Sequence, residues 1–289
     1  MPIIEPAIRP PSEGTSFLLQ VTLGCSSNGC TFCGAYLNKP FKTKDISEID
    51  NDIAYEARVA PQTRRVFLMD GDALALSNEE LLPILKELQA RFPALSRISA
   101  YANGYNITRR SGRELADLYE NKLRLIYMGL ESGSQEVLNL CNKRSSVEEM
   151  VTAVNRAQSA DIKASVIVLL GLGGRDHSKE HIAATITALN KMQPRYLSFL
   201  SLMVVPGTKL HKQVKEKKFQ LLDAKELLQE AYDIISGLEL NKTIFRSDHA
   251  SNHLALEGRL PHDKEKLLVE FNTAIQGALR LRPEFLRGL

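Results

Sequence analysis

No window of the chain reaches the ~18 uninterrupted apolar residues of a membrane-spanning helix. The opening run MPIIEPAIRPPSEG places Pro and Glu where a secretory signal needs an apolar core. Both absences predict a cytoplasmic protein with no membrane partner. A charge surplus is also missing. The 37 Lys and Arg against 34 Asp and Glu leave +3 over 289 residues, too little to indicate nucleic-acid binding. The sequence shows no internal repeat, low-complexity tract or flexible linker. Cysteine is scarce and unevenly placed: of four, Cys25, Cys30 and Cys33 fall within nine residues, while Cys141 stands apart. Such clustering favours metal or redox chemistry over a disulfide framework. The remaining composition, 44% apolar and 25% charged, is globular and excludes disorder or a collagen-like repeat. A chain of this length can bury a full core as one or two domains.

What is present alternates. Strand-like runs at Phe17 to Leu23, Arg65 to Met69, Arg97 to Ala102, Leu125 to Gly129, Ala164 to Leu170 and Tyr196 to Met203 are rich in Val, Ile, Leu, Phe and Tyr. Between them lie stripes at helical spacing: Ile46, Ile49, Ile53 and Ala57; Leu81, Leu82, Leu85 and Leu88; Val147, Met150, Val151 and Val154; Ile182, Ile186 and Leu189. Ser77 with Glu80, Ser111 with Glu114 and Ser146 with Glu149 read S-x-x-E, the spacing at which two side chains satisfy each other's orphan amides at a helix start. Strand then helix, six times, makes right-handed crossovers and an all-parallel sheet the default. An open doubly wound sheet and a partial barrel both satisfy that pattern.

Residues 1–15 read as an extended, Pro-punctuated arm. From Gly237 to Lys264 no period is evident, and a helix follows with the stripe Leu267, Leu268, Phe271, Ala274, Ile275, Ala278 and Leu279, expected to dock on the barrel. The expected division is a barrel over 1–237 and an extension over 238–289.

The three clustered cysteines lie on one loop, Gly24-Cys25-Ser26-Ser27-Asn28-Gly29-Cys30-Thr31-Phe32-Cys33-Gly34, directly after the first strand. In parallel α/β folds the carboxyl edge of the strands is where function collects. Three thiolates can hold three corners of a [4Fe-4S] cube and leave one iron open. A structural zinc site would need a fourth ligand from Cys141 or a distant His. A non-catalytic iron-sulfur or zinc-binding protein is therefore the alternative to an enzyme.

The stretch LGCSSNGCTFCGAYL resembles the cluster loop of radical S-adenosylmethionine (SAM) enzymes, with C-x4-C-x2-C where most members have C-x3-C-x2-C. MDGDAL at 69–74, GLESGS at 129–134, LLGLGG at 169–174 and VPGTKL at 205–210 fall in the order seen in the branch containing methylthiotransferases and oxygen-independent coproporphyrinogen oxidases. The resemblance covers about residues 17–215 and implies a partial (β/α)6 TIM-like barrel with a helical C-terminal extension. It implies that Cys25, Cys30 and Cys33 ligate a [4Fe-4S] cluster whose fourth iron takes SAM. The expected outcome is cleavage to a 5′-deoxyadenosyl radical, driven by a reductant such as flavodoxin or ferredoxin, on a substrate the sequence does not name.

By the same resemblance Asp70, Gly71 and Asp72 stand where most members have Gly-Gly-Glu against the SAM ammonium. Glu131 and Ser132 end the fourth strand among cofactor-binding polar groups, and Lys143 stands where an Arg often meets the SAM carboxylate. Asn103 and Ser165 are candidates for the ribose, and Val204 and Val205 for main-chain contact with adenine. Cys141 matches no ligand position and reads as a small buried residue. Outside these motifs the densest polar block is 246–253. His249, Asn252 and His253 there, with Arg175 and His177 after the fifth strand, are candidates to position substrate.

Overall fold

The computed structural model describes residues 3–288. The chain forms two compact units, the first from the residues up to Asn28, Ala35–Met128 and Thr152–Ala164, the second from Gly29–Gly34, Gly129–Val151 and the residues from Ser165 onward.

The first unit begins with β1 (Phe17–Gln20), β2 (Thr22–Leu23), β3 (Lys42–Thr43) and α1 (Ile46–Val59). It continues through β4 (Arg65–Met69), α2 (Asn78–Arg91), β5 (Arg97–Tyr101), α3 (Gly104–Thr108), α4 (Gly112–Glu120) and the start of β6 (Leu123–Glu131). β1, β4, β5 and β6 pair in that order, all parallel, with Phe17 opposite Val66, Arg65 opposite Arg97 and Ser99 opposite Leu125. Val66, Phe67 and Leu68 are fully buried, as a strand covered on both faces requires. The capping boxes at Ser77/Glu80 and Ser111/Glu114 form as the spacing predicts.

The strand expected over Phe17 to Leu23 divides after Gln20. The Val21 carbonyl accepts from Lys44 N, and Thr22 and Leu23 pair antiparallel with β3. The arm before β1 is tied down. Glu13 is fully buried, accepts from Ser16 Oγ and from Tyr127 Oη at 2.6 Å, and pairs with Arg97 at 2.8 Å.

After β6 come α5 (Gln135–Leu140), α6 (Val147–Ser159), β7 (Lys163–Leu170), α7 (Gly174–Met192), β8 (Tyr196–Ser201), α8 (Lys209–Lys215) and α9 (Ala224–Gly237). β9 (Thr243–Arg246), β10 (Glu257–Leu260) and α10 (Lys264–Ile275) follow in the second unit, while Thr152–Ala164, covering most of α6 and the start of β7, belongs to the first. β7 and β8 pair parallel, Ser165 opposite Tyr196. The aperiodic stretch after Gly237 holds two strands that the sequence conceals. β9 adds parallel to β8, with Tyr196 opposite Ile244, and β10 returns antiparallel to β9. Four-residue strands such as Thr243–Arg246 and Glu257–Leu260 carry too few alternations to be read from period alone. The all-parallel default therefore fails at β10. α10 packs on α9 through Leu267, Phe271 and Ala274.

The protein is thus mixed α/β with a parallel central sheet and covering helices. Among the described residues β1 is an edge strand and β10 pairs with β9 alone, so the strands do not close into a full barrel. None of the described helices is long and apolar enough to cross a membrane.

Candidate functional site

In the first unit the chemistry gathers where β1 and β4 end. Asp70, directly after β4, is fully buried with φ at +67°, a left-handed conformation that is sterically costly for a non-glycine residue. Its carboxylate is fully engaged. Oδ2 accepts from Gly24 N at 2.8 Å and pairs with Lys39 Nζ at 2.7 Å, while Oδ1 accepts from Gln20 Nε2 at 3.1 Å. Lys39 Nζ also reaches the Ile4 and Pro6 carbonyls. Asp70 thus holds the root of the cysteine loop. Gly71 N donates to Gly24 O at 2.9 Å, and a Cβ on Gly71 would stand 2.5 Å from Cys25 Cβ and 3.0 Å from Tyr36, so only glycine lets Cys25 approach β4 this closely.

Asp72 is also fully buried, on a different set of partners. Oδ2 accepts from Ser26 Oγ of the cysteine loop and from Asn106 Nδ2 at 2.6 Å. Among the described residues Oδ1 has no hydrogen-bond partner, nor has the nearby Asn103 Nδ2 at the start of α3. Burial raises the Asp72 carboxyl above its ordinary range, against the pull of Ser26, Asn103, Asn106 and Arg110. Arg110 is buried too and locks the neighbourhood, donating to Asn78 Oδ1 and to the Leu74, Leu76 and Asn106 carbonyls. A buried carboxylate with one unmet acceptor suits a cationic group with several donors.

In the second unit Cys30 and Cys33 bracket Thr31, whose amide donates to Cys141 O at 2.9 Å and whose carbonyl accepts from Leu210 N at 2.9 Å. A Cβ on Gly34 would lie 2.4 Å from Val205 Cγ1, so the end of the loop packs on the 204–205 segment. Val205 O is held by Thr208. Cys25, Cys30 and Cys33 are half-buried and form no disulfide. Cys141 is buried at the end of α5 and donates to Leu138 O; burial pushes its thiol up to about 12. Among the described residues no three His, Cys, Asp or Glu side chains converge as a ready single-ion site.

Glu131 ends β6 at φ +62°, with Ser132 N closing back on Leu130 O at 2.8 Å around it. Its carboxylate pairs with Lys143 Nζ at 3.1 Å, bringing together two residues twelve apart in sequence. Burial works against the Lys143 ammonium, yet the charges of Glu131 and Cys30 hold its pKa above the ordinary lysine value.

A further cluster joins Ser132 to two residues that the sequence does not single out, His181 and Glu230. Ser132 Oγ accepts from Ser134 N and lies 2.8 Å from His181 Nδ1; His181 Nε2 faces Glu230 Oε1 at 3.5 Å; that oxygen accepts from Gly171 N at 2.6 Å. Ser178 Oγ donates to the other carboxylate oxygen. Ser132, His181 and Glu230 are all essentially inaccessible. Burial lowers His181 to about 4 and raises Glu230 to about 7. The chain of contacts ties the loop after β6 to the loop after β7. The available signal was Glu230 itself, at a core spacing between Leu227 and Ile234 of α9.

The remaining candidates separate. Ser165 is buried in β7. Arg175 pairs with Glu226 at 2.9 Å and His177 with Glu180 at 3.6 Å, all of them exposed or nearly so. His249 and His253 lie outside any helix, on an irregular segment whose turn at 249–252 is closed by Asn252 N donating to His249 O; His249 Nδ1 is taken by Ser251 Oγ. Asn252 is buried, bonded to Ser201 Oγ, Phe199 O and Ser247 O, which is a structural set of partners. His253 and Val204 line a cavity of about 660 Å³ beyond the ends of β7 and β8.

Among known proteins, the family described as the Radical SAM superfamily matches residues 19–208. An uncharacterized methyltransferase of Pyrococcus horikoshii is 22% identical over 210 residues, 69% of this chain and 42% of that protein. A tRNA-2-methylthio-N(6)-dimethylallyladenosine synthase of Mycolicibacterium paratuberculosis is 23% identical over 60% of this chain and 35% of that protein. The chain thus spans about four tenths or less of the length of these relatives. Methylornithine synthase has the same fold, with TM-score 0.57 at 13% identity over 89% of this chain and 68% of that one. Coproporphyrinogen III oxidase of Escherichia coli gives 0.54 at 16% identity, over 76% and 50%.

Proposed function

Because the chain belongs to the Radical SAM superfamily, we propose that it is an enzyme in which Cys25, Cys30 and Cys33 hold a [4Fe-4S] cluster and the strand-end residues around them bind SAM. With both bound, the chemistry supplied is reductive cleavage of the sulfonium to methionine and a 5′-deoxyadenosyl radical. The electron comes from a reductant such as flavodoxin or ferredoxin, and four cysteines without a disulfide suit a cytoplasmic setting. The residues present fit these groups in donor chemistry: three half-buried thiols on one loop, and a buried carboxylate beside that loop with an unmet acceptor.

The observation that carries the reading is Asp72. Its Oδ2 holds Ser26, between the first two cysteines, and its bare Oδ1 is the acceptor that an α-ammonium would satisfy. Lys143, kept charged by Glu131, offers the counter-charge for an α-carboxylate. Asn103 and Ser165 serve the ribose, and Val204 and Val205 the base. Gly71, lacking a Cβ, lets Cys25 lie against the end of β4.

Anaerobic reconstitution followed by assay for 5′-deoxyadenosine under strong reductant tests this. Four irons per chain with reductant-dependent 5′-deoxyadenosine is the expected result. Cluster assembly without SAM cleavage would instead indicate an iron-sulfur carrier, and zinc in place of iron and sulfide would overturn the assignment.

A further inference from the structure

The 660 Å³ cavity of the second unit lies within the size range of small-molecule sites, which is roughly 300–1,000 Å³. Its walls are mainly apolar. Leu202, Val204, Leu221 and Leu227 contribute from the strand ends and the start of α9, and Leu281 and Pro283 from the C-terminal segment. The charged groups on its rim are largely neutralised in pairs. Glu284 is paired by Arg287 at 2.6 Å, and Asp223 faces Arg175 at 3.9 Å. Arg287 is spent as well, giving Nε to Ser251 O and Nη2 to Leu202 O.

Arg282 differs. Its Nη1 donates to three main-chain carbonyls, those of His249, Ala250 and Asn252, at 3.1, 2.9 and 2.7 Å. Among the described residues no carboxylate pairs with it, and its Nε and Nη2 donate to no protein acceptor. The carbonyls fix the side chain without cancelling its charge, leaving one edge of a planar fork whose geometry matches a carboxylate. An apolar cavity with one uncompensated, immobilised guanidinium is complementary to an apolar acid.

We propose that this cavity binds a small apolar molecule carrying a single carboxylate, gripped by the Nε/Nη2 edge of Arg282. Gly171 and Val204 border the cavity, so this ligand is the substrate of the radical chemistry. That second step rests on the function proposed above, while the binding itself does not.

The test uses the full-length chain before and after anaerobic cluster loading, with 8-anilinonaphthalene-1-sulfonate as an anionic apolar reporter and decanoate and 1-decanol as competitors. Saturable one-to-one reporter binding is expected, displaced by decanoate at concentrations about tenfold or more below those of decanol, since a charge-assisted pair is worth about 1.5 kcal/mol or more. Arg282→Gln, which keeps amide donors for the carbonyls, should weaken decanoate by a similar factor. Leu222→Trp, which adds bulk at the cavity wall and leaves the Arg282 side chain unsubstituted, should weaken reporter and decanoate binding alike, and its melting temperature separates occlusion from misfolding. Both variants should release 5′-deoxyadenosine without substrate as the unaltered protein does. Equal displacement by decanol, or reporter binding indifferent to both substitutions, overturns the proposal even if SAM cleavage is intact. Loss of SAM cleavage with decanoate binding preserved would instead count against the function and leave the acid site standing.

Discussion

His181 Nε2 and Glu230 Oε1 face each other at 3.5 Å, both sealed from solvent, with the imidazole lowered to about 4 and the carboxyl raised to about 7. Around pH 6 both are therefore neutral in the folded protein, although each would carry charge in the unfolded chain. Burial rather than ion pairing sets their state.

Their effects on stability oppose each other. Between about pH 4 and 6.5 the unfolded chain takes a proton that folded His181 refuses, so His181 makes stability rise with pH. Between about 4.5 and 7 folded Glu230 keeps a proton that the unfolded chain loses, so Glu230 makes stability fall with pH. In the intact protein the two slopes nearly cancel between about pH 4.5 and 6.5. Glu230→Gln should leave stability falling on acidification below 6.5, and His181→Gln should leave it falling as pH rises from 4.5 to 7, each by up to about 3 kcal/mol. Urea midpoints over this range check both signs, and flat profiles in both variants would sink the account.

The cysteines should separate cleanly. Cys25→Ala, Cys30→Ala and Cys33→Ala should each lose stable cluster binding, measured as iron per chain. Cys141→Ala should keep its iron and cost about 1 kcal/mol, as for a small buried side chain. Near-normal iron in any of the first three would remove that residue from the ligand set.

Asp70 and Asp72, two residues apart, should fail in different ways. Asp70→Asn strips a buried lysine of its counter-charge, an unpairing that typically costs about 3–5 kcal/mol, and should lower both melting temperature and cluster yield. Asp72→Asn removes a charge that burial disfavours. It should leave melting temperature at neutral pH unchanged or higher while weakening SAM binding, read by the change in the reduced cluster's electron paramagnetic resonance on adding SAM. Unaltered SAM titrations would exclude Asp72 from the site.

Asn252→Ala leaves three buried groups short of a partner and should cost about 1–3 kcal/mol, with every activity falling together. A fall in substrate turnover alone, at unchanged melting temperature, would return Asn252 to the substrate chamber.

The alternating pattern made the parallel strands and the principal helices legible because hydrophobic period reports burial directly. β9 and β10 stayed hidden because so short a strand is defined by its partner's ladder rather than by its own residues. In the site, the family resemblance singled out Glu131 and Lys143 separately, and their pairing at 3.1 Å emerges only from the fold. The role of Lys39, thirty-one residues before Asp70, was invisible because a Lys on a loop reads as solvated until the fold surrounds it. His181 was hidden the same way, in a helix whose stripe points to Ile182, Ile186 and Leu189.

Asp70 binds Gly24 N and Lys39 Nζ through the same oxygen, so it clasps the two ends of the segment that contains all three clustered cysteines. Closing a loop of that length costs entropy on the order of 2 kcal/mol, which the Asp70 contacts to Gly24 and Lys39 help to offset. Oxidative loss of the proposed cluster should therefore leave the ends of the cysteine loop clasped, so that iron and sulfide can be restored to folded protein without denaturation. The segment behaves as a purse whose drawstring is a carboxylate.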